Sequence, residues 1–446
     1  MKRPITRSAV AIVSAASALF ILAGPTTTAS AAPATCGGRT ATIVGSSTID
    51  DLTGTAGNDV IAGLGGSDRI DGRGGNDRIC GGYGADQLTG GGGSDKIFGG
   101  QDRLFVNDEG IDERIGDRLR GGAGPDRLVP GLDTRPADEV THDLISWETS
   151  PQRVHIDLVT GVATGEGRDQ FTSVATWVVG SAYADVIEGG PAGDLVDGWG
   201  GPDRIRTYGG DDRVNGGTGS DRIETQRGDD QVYAGSGVDV VYAGHGDDEI
   251  SSNAGADRLY GQSGSDTIDN FDKVADAARM YGGGGPDLLI AQLVNVPGQT
   301  QVVAGGSGDR DRLNLFTTAL NPDPLPAEGT WNMSTGRLVF NLDGPVLATV
   351  IGFESADLST YGATWSIKGT AGPDLLTAGG TANTSFRAMA GNDSFRGSNQ
   401  DLIFDGSDHF NGGGGRDRSL GMGTGDDTCI DVEVFVGPDD CETVVP

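Results

Sequence analysis

Residues 180–269 read GSAYADVIE GGPAGDLVD GWGGPDRIR TYGGDDRVN GGTGSDRIE TQRGDDQVY AGSGVDVVY AGHGDDEIS SNAGADRLY GQSGSDTID, ten units of nine residues without a slip. Aspartate occupies position six of every unit, and an aliphatic residue occupies position eight. A second run, GTAGNDVIA GLGGSDRID GRGGNDRIC GGYGADQLT GGGGSDKIF, covers residues 54–98 with the same pattern. Self-similarity at a fixed period indicates a repeat architecture in which each unit packs on its neighbours.

The spacing divides each unit into a turn of six residues and a strand of three. The middle strand residue points inward and its neighbours point outward, because side chains alternate along a strand. Glycine holds position four in most units, where a tight turn needs a positive φ that other residues adopt only with strain. Tyr183 and Ala192 break this rule. We therefore expect the first two loops of the second run to bind a cation poorly or to cap the run.

Two units form one coil of 18 residues, so loops alternate between two edges and each strand stacks on the strand one coil earlier. Successive coils lie about 4.8 Å apart, the spacing of paired strands. Carboxylates at this distance repel one another unless a cation lies between them. Oxygen ligands from carboxylates and carbonyls suit Ca²⁺. The sequence therefore predicts that Ca²⁺ is part of the fold.

These units resemble the repeats-in-toxin (RTX), or haemolysin-type, calcium-binding nonapeptide GGxGxDxUx. The resemblance implies an all-β, right-handed parallel β-roll, a β-solenoid in two or three blocks with spacer segments. It implies that each Ca²⁺ lies between two loops of one edge, held by loop carbonyls and position-six aspartates. The metal ligands implied in this way are Asp59, Asp68, Asp77, Asp86, Asp95, Asp185, Asp194, Asp203, Asp212, Asp221, Asp230, Asp239, Asp248, Asp257 and Asp266. Weaker copies place aspartates at Asp126, Asp287, Asp374, Asp393, Asp417 and Asp427.

The amino-acid composition and net charge limit the classes of partner that the protein can bind. The chain has 78 glycines among 446 residues and a formal net charge of −32. A polyanionic surface without a basic stripe repels phosphate, so we expect no nucleic-acid partner. Glycine is conformationally free when unfolded and clustered carboxylates repel, so much of the chain should not stay compact without a compensating ligand.

The N-terminal segment has the order of a secretory signal peptide: basic residues, an apolar stretch over 9–23 and the small-residue site Ala29-Ser30-Ala31. The alternative is a membrane anchor, but an apolar stretch of 15 residues falls short of the roughly 20 that a spanning helix needs. We expect a signal peptide over 1–31, no membrane span and a secreted, extracellular protein.

The repeat runs divide the rest of the chain. We expect an N-terminal calcium-binding β-roll over 32–129, a spacer over 130–179 and a central ten-repeat roll over 180–270. Degenerate repeats and a spacer follow over 271–368, and degenerate repeats with a disulfide over 369–446. The spacers are interpreted as coils that extend the solenoid without calcium, with a separate small β-domain as the alternative.

Four cysteines, Cys36, Cys80, Cys429 and Cys441, favour disulfides in an oxidising compartment. Three connectivities exist. Proximity in sequence favours Cys36 with Cys80 and Cys429 with Cys441, which would staple the two ends of the solenoid.

No sequence signature of catalysis is present: the chain lacks HExxH and GxSxG. His142, near Glu139, Asp143 and Glu148, is the one arrangement that could support acid–base or metal chemistry. The tryptophans do not recur at one repeat position, so they predict no aromatic sugar-binding row. We therefore predict no catalytic residues and no enzyme, but a calcium-binding protein with a structural or adhesive role. Its further partners would be cell-wall or matrix polymers, and the alternative is an extracellular hydrolase or lyase that uses the spacers.

Overall fold

The computed structural model describes residues 33–101, 115–131, 142–172, 176–270, 278–293, 302–307 and 311–317, and strand segments between 327 and 445. Its described residues form strands and no helix, and the strands stack in parallel into a β-solenoid of about 13 turns. The predicted all-β parallel roll is confirmed. Accordingly, the described part of the chain contains no helix that could cross a membrane. The expected signal peptide over 1–31 lies outside the described residues.

The coils contribute strands alternately to two sheets, which we name sheet I and sheet II. Sheet I comprises β3 Ile43–Val44, β5 Val60–Gly65, β7 Arg78–Tyr83, β9 Lys96–Gln101, β11 Arg127–Val129, β13 His155–Asp157, β14 Val162–Thr164, β15 Arg168–Phe171, β17 Val186–Glu188, β19 Arg204–Arg206, β21 Arg222–Arg227, β23 Val240–His245, β25 Arg258–Ser263, β27 Arg279–Gly284, β29 Val302–Gly306, β31 Ala327–Asn332, β32 Arg337–Asn341, β33 Pro345–Ile351, β35 Ala363–Lys368, β37 Thr384–Arg387, β39 His409–Asn411, β41 Thr428–Ile430 and β43 Thr443–Val445.

Sheet II lies opposite, and its strands alternate along the chain with those of sheet I. It comprises β4 Asp51–Thr53, β6 Arg69–Asp71, β8 Gln87–Gly92, β10 Ile115–Ala123, β12 His142–Ser146, β16 Thr176–Val179, β18 Leu195–Asp197, β20 Arg213–Asn215, β22 Gln231–Tyr233, β24 Glu249–Ser252, β26 Thr267–Asn270, β28 Leu288–Leu293, β30 Arg312–Thr317, β34 Ser355–Thr360, β36 Leu375–Gly379, β38 Ser394–Arg396, β40 Arg418–Ser419 and β42 Val434–Phe435. A separate antiparallel pair, β1 Thr35–Cys36 and β2 Arg39–Thr40, precedes both sheets.

The core is a set of aliphatic columns between the two sheets. Within the second run each strand pairs with the strand 18 residues away, so Ile187 pairs with Ile205 and Ile205 with Ile223. These position-eight side chains are fully buried. Burial of one such side chain stabilises the fold by roughly 1.5–3 kcal/mol. The repeat thus specifies the core with one residue in nine.

The segment between the two runs belongs to the same sheets. Strand β10 pairs with β8 and with β12, and β12 pairs with β16, which leads into the second run. The strands β13, β14 and β15 add an antiparallel hairpin arrangement to sheet I. Insertions therefore change the length of the connections without ending the parallel ladder.

A disulfide joins the N-terminal strand pair to the roll. Cys36 is bonded to Cys80, with the two Cα atoms 5.6 Å apart. This is the first of the two pairings that proximity favoured. The second, Cys429 with Cys441, lies outside the described residues, because Cys441 and the side chain of Cys429 are not described.

Candidate metal centres along the two edges

A hydrogen-bonded ladder of aspartates runs along each edge of the solenoid. For 14 of the 15 position-six aspartates of the two runs, the backbone N–H donates to Oδ1 of the next aspartate along the same edge. Asp185 donates to Asp203 at 2.8 Å, and Asp203 donates to Asp221 at 2.8 Å. The opposite edge repeats the pattern, with Asp212 donating to Asp230 at 2.9 Å. Oδ1 is therefore part of the fold and aligns the carboxylates in columns.

The second carboxylate oxygen, Oδ2, has no protein partner in most loops. Among the described residues, Oδ2 is buried without a hydrogen bond in Asp68, Asp77, Asp86, Asp95, Asp126, Asp203, Asp212, Asp221, Asp230, Asp239, Asp248, Asp266 and Asp287. Burying an ionised carboxylate without a partner is costly, so such groups either take up a proton or bind a cation.

Burial moves the pKa of these carboxyl groups strongly upward. Desolvation raises the pKa of Asp203 to about 9, against one backbone hydrogen bond that lowers it, and the charges of Asp221 and Asp185 raise it further. For the same main reason the pKa of Asp248 rises to about 8 and that of Asp86 to about 7. A column of such groups favours a positive charge beside it.

Backbone carbonyls lie close to the unpartnered oxygens. A Cβ added at Gly72, position one of its loop, would lie 2.5 Å from Oδ2 of Asp77 and 2.6 Å from the carbonyl oxygen of Gly90 in the next coil. The carboxylate and the carbonyl of adjacent coils thus face the same small space. This mixed oxygen set, with glycine keeping the space open, fits the ligand chemistry of Ca²⁺.

No cluster of three acidic, histidine or cysteine side chains that could hold a metal occurs among the described residues. A cation at either edge would therefore take at most two carboxylates and complete its shell with carbonyls. Softer metals prefer nitrogen and sulfur ligands. The donor set again fits Ca²⁺.

In most loops two positions, the second and the fourth, adopt a positive φ, and the sequence predicted only the fourth. Position four does so as expected, as in Gly75 at φ 107° and Gly237 at φ 138°. The positive φ at position two was not predicted, because the residue at this position is often not glycine. Six such residues have φ between 70° and 82°: Leu64, Arg73, Trp199, Tyr208, Gln226 and Gln262. Non-glycine residues hold this conformation only where surrounding structure imposes it.

Four of the nonapeptide loops differ because the N–H of position two donates to Oδ2 of the same loop, as the N–H of Gly131 also does to Asp143 across an insertion. The donors are Ser46 to Asp50 at 2.6 Å, Thr55 to Asp59 at 2.6 Å, Ser181 to Asp185 at 2.5 Å and Gly190 to Asp194 at 2.7 Å. These are the first aspartate loops on each edge of each run, and none of the four donors has a positive φ. We call them the capped loops.

One loop follows neither arrangement. In the loop of Asp257, position two is Asn253, whose N–H donates to the carbonyl of Gly235 at 3.1 Å. Asp257 is buried, and its Oδ1 accepts the N–H of Asp239 at 2.8 Å. The aspartate ladder therefore reaches this coil, and the next coil of this edge has Ala278 at the equivalent position.

Insertions bring further aspartates into the ladders. Asp86 donates to Asp117, and Asp117 donates to Asp143, each at 2.9 Å, across separations of 31 and 26 residues. On the other edge Asp126 donates to Asp169 at 3.0 Å. Sequence reasoning missed Asp50, Asp117, Asp143 and Asp169. The available signal was an aspartate two residues before a buried apolar side chain, without the preceding glycine turn.

The carboxylates considered for acid–base chemistry have structural partners. Glu148 forms an ion pair with Arg120. Asp143 accepts the N–H of Asp117 at Oδ1 and that of Gly131 at Oδ2, the latter at 2.8 Å. Glu139 and the side chain of His142 lie outside the described residues. The described part of this cluster belongs to the ladder and to an ion pair.

The fold and its edges define a parallel β-roll with oxygen-lined cation sites in its turns. The family model described as RTX calcium-binding nonapeptide repeat (4 copies) matches residues 44–79, 74–103, 175–205, 206–241 and 233–268. The chain therefore carries RTX calcium-binding nonapeptide repeats, which bind Ca²⁺. No curated protein matches the sequence.

Proposed function

We propose that this protein is a secreted extracellular scaffold whose roll folds around Ca²⁺ and which has a structural or adhesive role rather than an enzymatic one. The observation that carries the proposal is the column of buried Oδ2 atoms on each edge. Each oxygen needs a positive partner at neutral pH, and Ca²⁺ supplies it. Binding and folding are then one process, because the site exists only when adjacent coils are stacked.

The ligands in this proposal are the 15 position-six aspartates of the two runs, with one Ca²⁺ between successive loops of an edge. The capped loops of Asp59, Asp185 and Asp194 bind more weakly, because their Oδ2 atoms already accept an N–H. Asp126 and Asp287 join the ligand set, since their Oδ2 atoms are buried and unpartnered among the described residues. The calcium-dependent units are 32–129 and 180–270.

The extracellular location rests on three features. Residues 1–31 have the order of a signal peptide. The Cys36–Cys80 disulfide suits an oxidising compartment. Calcium modules outside the cell typically have dissociation constants on the order of 10⁻⁴ to 10⁻³ M, so they bind Ca²⁺ at millimolar concentrations. In such a setting the protein would contact cell-wall or matrix polymers.

The test is far-ultraviolet circular dichroism of purified protein, titrated from a chelator into millimolar Ca²⁺, with Mg²⁺ as the control. We expect a cooperative gain of β signal with Ca²⁺ and no gain with Mg²⁺, which prefers a smaller and more rigid octahedral site. An identical spectrum in chelator and in Ca²⁺ would contradict calcium-coupled folding.

A further inference from the structure

Between β18 and β27 the outward faces of the two sheets carry opposite charge. We name the outward residues of β19, β21, β23, β25 and β27 the basic face: Arg204, Arg206, Arg222, Glu224, Val240, Tyr242, Arg258, Tyr260, Arg279 and Tyr281. Five arginines and one glutamate give it a formal charge of +4. The equivalent strands of sheet II, β18 to β26, carry one arginine and three acidic residues, a formal charge of −2. One positive face thus stands out on a chain of net charge −32.

The single acid of the basic face is already neutralised. Glu224 accepts hydrogen bonds from Nε of Arg206 at 2.8 Å and from Nε of Arg222 at 2.7 Å. Burial acts to raise the pKa of Glu224, but these two guanidinium groups outweigh it and lower the pKa. Glu224 therefore stays ionised and fixes two guanidinium groups in place. The Arg222 side chain remains 47% exposed.

Three tyrosines form a stacked row beside the arginines. The ring centroids of Tyr242 and Tyr260 lie 4.8 Å apart, and those of Tyr260 and Tyr281 also lie 4.8 Å apart, with interplanar angles of 4°. The guanidinium of Arg222 lies 4.9 Å from the Tyr242 centroid and covers its outer face. Both faces of Tyr242 and of Tyr260 are thus occupied by neighbouring groups, and these two residues present ring edges and hydroxyl groups. Stacking of this kind holds a rigid, flat surface.

A groove of about 440 Å³ lies beside Tyr242, at one end of this row. Its lining includes Arg222, Glu224, Arg227, Tyr242, His245 and Gln262, and the charge of Glu224 is offset by Arg206 and Arg222. His245 Nδ1 and Ser263 Oγ are 2.5 Å apart. The groove therefore offers cationic groups together with hydroxyl and amide groups that can donate hydrogen bonds.

We propose that the basic face binds an acidic polysaccharide, a chain of uronate sugars, lying along the solenoid axis across successive strands. Guanidinium groups repeat on four of the five strands. Glu224 holds those of Arg206 and Arg222, whereas Arg204, Arg258 and Arg279 are exposed, and a planar guanidinium fork matches a carboxylate bidentately. The tyrosine, serine and glutamine groups suit sugar hydroxyls. A single-stranded nucleic acid would need a series of open aromatic faces on which bases stack, and both faces of Tyr242 and Tyr260 are covered. This inference rests on the proposed extracellular role and names its partner.

The experiment measures binding of a fluorescent oligogalacturonate, long enough to span the five strands, to the full chain in Ca²⁺. The test variant is R222Q/R258Q/R279Q, and the matched control is R69Q/R213Q/R312Q, which removes the same charge from position seven of sheet II. We expect the test variant to weaken binding about tenfold, since each exposed ion pair contributes modestly. The control should change binding less than about twofold, and a neutral oligogalactose should not bind.

Several results would overturn the inference. An equal loss of affinity in both variants would show that the oligogalacturonate is attracted by the overall charge distribution of the molecule. No loss of affinity in either variant would show that Ca²⁺ at the acidic edges bridges the oligogalacturonate to the protein. Equal or tighter binding of a single-stranded DNA oligonucleotide would point to an unspecific anion site. Circular dichroism in Ca²⁺ checks the fold of each variant, with Arg258→Gln alone as the milder substitution. Failure of the roll to respond to Ca²⁺ would count against the proposed function, whereas a folded roll that ignores the oligouronate would count only against this inference.

Discussion

At position six of each repeat the two carboxylate oxygens have separate tasks. Oδ1 accepts the N–H of the preceding coil and so builds the ladder, as between Asp203 and Asp221. Oδ2 is left buried in most loops and accepts the N–H of position two in the capped loops. The conformation of position two separates the two classes, because a positive φ there accompanies an unpartnered Oδ2. One backbone angle thus distinguishes a loop poised for Ca²⁺ from a capped one.

This distinction predicts different effects for the same substitution in two loops. In Asp221→Asn the amide oxygen can still accept the N–H of Asp203. The amide NH₂ takes the place of Oδ2, so this position becomes a hydrogen-bond donor and the negative charge is lost. We expect the loss of about one bound Ca²⁺ and about 2–3 kcal/mol of stability at a Ca²⁺ concentration 100 times the dissociation constant. Calcium content after dialysis and urea unfolding in Ca²⁺ measure both quantities.

Asp194→Asn is the matched control, since Gly190 already donates to Asp194 Oδ2 at 2.7 Å. It should retain the bound Ca²⁺, but it should lose about 1–3 kcal/mol of stability because the amide NH₂ cannot accept the N–H of Gly190. Calcium content therefore separates the two variants, and an equal loss of bound Ca²⁺ in both would mean that the capped loops bind as well as the others.

At the scale of one loop, glycine is required where the coils stack closest. Gly75 at position four has φ 107°, and a Cβ there would lie 2.5 Å from the carbonyl carbon of Gly57 one coil earlier. Gly74, its neighbour at position three, has no positive φ, and its nearest neighbour would be 3.8 Å away. Of these two adjacent glycines, therefore, only Gly75 stands where the neighbouring coil leaves no room for a side chain.

These two glycines give a second matched pair of variants. Gly75→Ala should cost about 2 kcal/mol or more, because the left-handed conformation alone costs 1–2 kcal/mol for other residues and the carbonyl must also move. Gly74→Ala should change stability by less than about 0.5–1 kcal/mol. Thermal unfolding at fixed Ca²⁺ compares them, and equal destabilisation would show that coil spacing is not the limiting contact.

Across the whole molecule, burial couples the roll to protons as well as to Ca²⁺. Desolvation raises the pKa of Asp203 to about 9, of Asp126 and Asp248 to about 8, and of Asp95 and Asp266 to about 6. The folded roll without metal therefore binds more protons than the unfolded chain between about pH 4 and these values. Stability of the metal-free roll is then greatest below the unfolded pKa of about 4 and falls as pH rises through about 6 to 9.

We accordingly expect calcium-free protein to show more β signal at about pH 5 than at pH 7.5, and Ca²⁺ to remove this difference by taking the place of the protons. Circular dichroism of calcium-free protein across this range measures the effect. A high-salt sample at pH 7.5 is the control, because salt screens repulsion between exposed charges and leaves desolvation unchanged. Recovery of structure by salt alone would assign the effect to exposed carboxylates instead.

The sequence by itself determined the class of fold, its core and the kind of cation. A strict period of nine places Ile205 and Ile223 one coil apart, and alternation along a strand turns them inward, so local spacing suffices. The RTX resemblance and the mixed oxygen donors indicated Ca²⁺ for the same reason, since each loop carries its own glycines and its own carboxylate. The ladder aspartates of the spacers were harder to predict from the sequence, because Asp117 and Asp143 lack the glycine turn and join the ladder across insertions.

Only the tertiary structure decided what depends on neighbouring coils. Whether an Oδ2 atom is capped depends on the φ of position two, which at Trp199 and Gln226 is imposed by stacking and not by residue type. The tyrosine row escaped the sequence because an insertion places Tyr281 21 residues after Tyr260, while Tyr242 lies 18 before it. In the folded protein the strands stack in register despite this insertion, and the ring centroids of both tyrosine pairs lie 4.8 Å apart. A period fixes what each coil contains, whereas the contacts between coils exist only after the chain has folded.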